Sequence, residues 1–157
     1  MILDRNLVFD GGLALAFVPI TVTRPSTDVI DLGNARELAW GENVCVTVMS
    51  NGLFAAAGAA TLAIDVQGSV DNSAWTTYVS ELPMSIATLN SRVVGGQPYA
   101  LALNFPPRTP GAARPRYLRL NYTVATGPFT AGAVLAFLNL GRDEIEAYPR
   151  NFVVAGY

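Results

Sequence analysis

Alternation of apolar and polar residues with a period of two runs through most of this chain, and it leaves few folds open. A strand sends successive side chains to opposite faces, so the pattern belongs to half-buried β-strands. In Val44-Cys45-Val46-Thr47-Val48-Met49 the valines share one face. Leu62, Ile64 and Val66 oppose Thr61, Asp65 and Gln67. Tyr99, Leu101, Leu103 and Phe105 form a third stripe. Leu118, Leu120, Tyr122 and Val124 form a fourth, against Arg119, Asn121 and Thr123. Val134, Leu138 and Leu140 continue the pattern, but Leu135 and Phe137 make that strand apolar on both faces. Such a strand is expected to be covered on both sides, by a second sheet or by a neighbouring subunit.

Weaker strand signals lie at Leu13–Thr23, Asp28–Leu32, Trp75–Ser80 and Arg92–Val94. Turn residues separate the strands at Asn51-Gly52, Asp71-Asn72-Ser73, Gly95-Gly96-Gln97-Pro98 and Gly127-Pro128. Helical periodicity is missing. Gly58 interrupts the alanines of Ala55–Ala60, and Asp143–Ala147 has room for one turn before Pro149. The expectation is an all-β, jelly-roll-like antiparallel β-sandwich of about eight strands with extended termini. No repeat or linker divides it, so residues 1–157 read as one domain, with arms at 1–12 and 146–157. Residues 106–116 carry four prolines and three arginines, the marks of an extended, exposed loop.

Composition narrows the chemistry. Charged residues make up 14% and hydrophobic residues 51% of the chain, and about 25% charged is ordinary. A domain this small cannot hide all of that apolar surface, so part of it is expected to be covered by a partner. A net charge of −2 argues against nucleic acid or an anionic membrane as partner. The longest apolar runs, Leu13–Ile20 and Leu53–Ala60, fall far short of the roughly 20 residues of a membrane span. The N-terminus lacks the basic start and cleavage site of a secretory signal, so the chain is expected to stay soluble where it is made. Cys45 is the one cysteine, which excludes an intrachain disulfide and suits a buried strand position.

There is no histidine and no lysine. Their absence removes the common acid–base, nucleophile and Schiff-base systems, as well as the phosphate loop that needs a lysine. Paired carboxylates remain as an enzymatic possibility, with Asp65, Asp71 and Glu81 as candidates, each also explained as a solvated strand or turn residue. Asp71-Asn72-Ser73 lacks the alternating ligands of an EF-hand and reads as an Asx-stabilised turn. The expectation is a protein that is not an enzyme and uses no cofactor, metal or small-molecule substrate. Trp40, Trp75 and Tyr78 keep a carbohydrate- or receptor-binding sandwich open as the alternative, although core packing also accounts for them.

All ten basic residues are arginine, and Arg108, Arg114, Arg116 and Arg119 form the one concentration of them. A solvated loop is the plain reading. Docking on an acidic protein surface through charge-assisted hydrogen bonds is the functional one. Both termini are apolar: Leu3, Leu7 and Phe9 at one end, Tyr148, Phe152, Val153 and Tyr157 at the other. Such side chains need an acceptor surface, either their own sandwich, as edge strands, or a neighbouring subunit.

The opening Met1-Ile2-Leu3-Asp4 with its short apolar stretch, and the closing Tyr148-Pro149-Arg150-Asn151-Phe152-Val153-Val154, resemble the capsid cement (decoration) proteins of short-tailed bacteriophages. That resemblance implies a jelly-roll structural protein of the virion, made in the bacterial cytoplasm and seated on the outer face of an icosahedral capsid. There it would bridge major capsid protein subunits, often as a homodimer. The expected contact residues are Leu3, Asp4, Arg5, Leu7, Phe9, Arg108, Arg114, Arg116, Tyr148, Arg150, Phe152 and Tyr157.

Overall fold

The structure, a computed structural model, describes residues 4–11, 17–38, 44–91, 99–105 and 113–140. Among them are nine strands: β1 (Val8–Asp10), β2 (Arg24–Pro25), β3 (Ile30–Asp31), β4 (Val44–Ala56), β5 (Thr61–Ser69), β6 (Thr76–Ser85), β7 (Ala100–Asn104), β8 (Tyr117–Ala125) and β9 (Phe129–Leu140). One short helix, α1 (Ile86–Asn90), follows β6, and a 3-10 turn (Arg5–Leu7) precedes β1.

The strands form two antiparallel sheets. Sheet A has the order β1-β9-β4-β7; sheet B has the order β2-β8-β5-β6, with β3 also paired to β8. With β2 and β3 taken as one interrupted strand, the first strand lies beside the last, the second beside the second-last, and so inward. That is the winding of a jelly roll, the expected architecture. It sets β1 beside β9 and leaves β1 and β2 as edge strands.

The alternating segments point as their periodicity requires. Val44, Val46 and Val48 from β4, Leu62, Ile64 and Val66 from β5, and Leu118, Leu120 and Tyr122 from β8 meet in one core spanning both sheets. β9 is buried on both faces, with Val134 and Ala136 in the core and Phe137 turned away from it yet 1% exposed. Val8 and Thr47 flank Phe137 in the ladder and are also buried. Cys45 is fully buried, and its Sγ donates to Asn139 Oδ1 at 2.9 Å.

Where the sequence suggests a turn at Asn51-Gly52, the backbone bulges within β4, with Gly52 at φ 91°. The bulge swings Phe54 under β9, edge-to-face against Phe129 at 5.4 Å between ring centroids. Gly132 makes this crossing possible: its φ is 128°, and a Cβ there would overlap the Phe54 ring.

Two expected elements change character. Residues 17–23 of the Leu13–Thr23 signal form no strand, because Ile20 and Thr21 bond to Gly132 and Phe129 as an irregular strap. Residues 8–10 of the expected N-terminal arm are an edge strand, with Val8 opposite Phe137 and Phe9 fully buried in the core. The signals at Arg92–Val94 and Asp143–Ala147 lie outside the described residues.

β1 is fastened to sheet B by a buried polar cluster. Asp10, 2% exposed, accepts from Thr27 Oγ1 at 2.6 Å and from Arg24 Nη2 at 3.3 Å. Arg24 also donates to the carbonyls of Pro25 and Val18 and lies 5.2 Å from the centre of the Tyr122 ring. At the far side of sheet B, β6 pairs with β5 alone among the described residues. Pro83 offers no N–H there, Glu81 adds charge, and two irregularities break the register.

Candidate functional site

The expected contact residues fall at two places. Around β1, Asp4 caps the 3-10 turn, its Oδ1 accepting from the Asn6 amide at 3.0 Å, and both Asp4 and Arg5 are exposed. Leu7 is half-buried against the core. Phe9 is the correction: as a core side chain of its own sandwich it presents no surface to a partner.

Exposed apolar side chains recur along the segment that follows β1. Phe17, Val18, Val22 and Val29 are 39–58% exposed and make up four of the seven large exposed hydrophobics among the described residues. The Phe17 ring packs close to Gly11 at the end of β1. Val29 follows Asp28, whose amide donates to the Phe9 carbonyl at 2.9 Å.

The second place is the outer face and rim of sheet B. Arg116 donates through Nε and Nη2 to both Asp31 oxygens at 2.9 Å and stacks over Tyr117 at 4.9 Å. This bidentate pair holds the Asp31 carboxyl below its ordinary pKa, helped by the Gly33 amide. Arg114 stands 3.9 Å from Glu37. Arg114 and Arg116 of the expected set therefore face carboxylates of their own chain.

Arg119 differs. Its neighbours Leu118 and Leu120 point into the core, so it stands on the outer face. Its Nε donates to Gln67 Oε1 at 2.9 Å, and Gln67 Nε2 donates to Thr77 Oγ1. Its guanidinium lies 4.1 Å from the centre of the Trp75 ring. Partial burial pulls its pKa below the usual arginine value. Arg119 belongs to the basic cluster in sequence, but its partner Trp75 is 44 positions away, just before β6, beyond any local pattern.

Trp75 is half-buried with one ring face taken by Arg119. Tyr78 is half-buried too, packed near Phe105 and donating its hydroxyl to the Ala113 carbonyl at 3.2 Å. Of the carboxylate candidates, Asp65 accepts from Ser80 Oγ at 2.6 Å on the sheet surface. Asp71 sits in its turn, accepting from Ser69, Ser73 and Ala74, which drives its pKa well below the ordinary value. Asp65 and Asp71 are thus tied into separate hydrogen-bond systems. Glu81 lies at the bulged edge, opposite Ile64. Leu3, Arg108, Tyr148, Arg150, Phe152, Tyr157 and Trp40 lie outside the described residues.

The fold defines the class, a β-sandwich wound as a jelly roll. The chain belongs to the Bbp16 family, whose model matches residues 17–138. The matched stretch covers the sandwich from the apolar strap to the end region of β9 and stops short of both chain ends. No curated protein matches the chain.

Proposed function

We propose that this chain is a non-catalytic structural protein of a phage particle, which binds the outside of an icosahedral capsid and ties major capsid protein subunits together. The observation that carries the reading is the segment that follows β1, where Phe17, Val18, Val22 and Val29 stay exposed. Apolar side chains concentrated in one segment of a domain with few charges suit a protein partner. Membership of the Bbp16 family, a name that suggests a phage-related protein, points the same way. So do the apolar chain ends and their resemblance to cement proteins. Many copies acting together need only modest affinity each, because attachment at two points raises effective concentration.

Co-sedimentation with purified capsid shells that lack the protein tests the reading. Wild-type chain pellets with the shells. Val22→Glu, at a site 58% exposed, leaves the unfolding free energy within about 0.5 kcal/mol of wild type and lowers retention about tenfold or more. Wild-type chain that stays in the supernatant overturns the proposal.

A further inference from the structure

We infer that Arg119, stacked on Trp75, is a preformed receptor for a carboxylate, and that the group it takes is an Asp or Glu side chain of a partner protein. The inference rests on the capsid-docking reading only for the partner's identity.

A guanidinium offers five N–H donors in a rigid fork. In Arg119 one is spent on Gln67, and the Trp75 ring holds the plane in place. The Nη groups, the half of the fork that grips a carboxylate through two parallel bonds, have no acceptor among the described residues. Among the described residues no carboxylate forms an ion pair with this arginine, whereas Arg24, Arg114 and Arg116 each have one. An arginine already desolvated on one side and fixed in orientation loses little freedom when it binds, which is what concentrates binding energy at arginine and tryptophan in interfaces. Gln67 faces it across the ladder, with Thr77 beyond and Asn121 next along its own strand; the carboxylate on this face, Asp65, lies opposite Asn121 and accepts from Ser80. Charge complementarity then requires an acidic partner group. A protein carboxylate fits better than an acidic sugar, because the indole face that would stack on a pyranose is occupied by the guanidinium itself.

The experiment follows the Arg119 Nε–H and Trp75 indole N–H resonances of the full chain during titration with N-acetyl-glutamate methylamide, and separately with methyl glucuronide. The expected result is a saturable, millimolar shift of both resonances with the glutamate derivative, absent in Arg119→Gln. No shift with either compound overturns the inference, and so does glucuronide binding tenfold tighter than glutamate. On capsid shells, Arg119→Gln lowers retention about tenfold to a hundredfold. Arg119→Lys recovers only part of it, because lysine keeps the charge but not the fork. Equal retention of wild type and Arg119→Gln overturns the inference and leaves the docking proposal standing. A wild-type chain that ignores shells yet shows the glutamate shift overturns docking and leaves the carboxylate site.

Discussion

At the scale of single residues, the buried cluster at the β1 edge has a measurable signature. Tyr122 is 0% exposed, and its hydroxyl, like Asp10 Oδ2 and Arg24 Nε, has no hydrogen-bond partner within bonding distance among the described residues. Burial, then the nearby Asp10 charge, holds its phenol well above 10. Below pH 10 the tyrosine is neutral folded and unfolded, and its contribution to stability is complete. Above pH 10 the unfolded chain ionises first, so stability falls as pH rises, by about 1.4 kcal/mol per pH unit. Urea titrations at pH 9 to 11 are expected to show this slope, and Tyr122→Phe removes most of it. Burial shifts Tyr78 the same way and leaves a weaker residual slope. Little of this was legible in the sequence. The inward stripe of Leu118, Leu120 and Tyr122 could be read from its period, but nothing local says that Asp10 and Arg24 close on Tyr122 from two other strands. The pairing of Arg119 with Trp75 was hidden for the same reason.

Elements were easier to read where one face is buried and the other wet, as in β5 and β8, since a period of two then has a single solution. They were harder to read where the backbone departs from a regular ladder. β2 contains Pro25 and spans two residues, α1 is five residues long and starts on a Ser85 cap that accepts from the Thr88 amide, and the β4 bulge uses residues that signal a turn. The β4 bulge and Gly132 act as one device, so Gly132→Ala is expected to cost about 2–4 kcal/mol, from an unfavourable φ and overlap with Phe54. Chemical denaturation checks this. In the Phe54→Ala background the same change costs less, leaving mainly the backbone strain.

For the whole molecule, topology sets the tempo. Of the strand pairs among the described residues, β5–β6 alone joins neighbours in sequence; β1–β9, β2–β8 and β4–β9 close long loops. Stopped-flow refolding followed by tryptophan fluorescence is therefore expected in the millisecond-to-second range, with no microsecond phase to the native state. The same winding decides which strands are left at the margins. β1, β2 and β7 are three, two and five residues long, and the longer β6 carries Pro83, Glu81 and two breaks in register. Cross-β growth needs a straight, unblocked template on which the next chain can stack. The described margins offer none, which works against edge-to-edge stacking when many copies are crowded together.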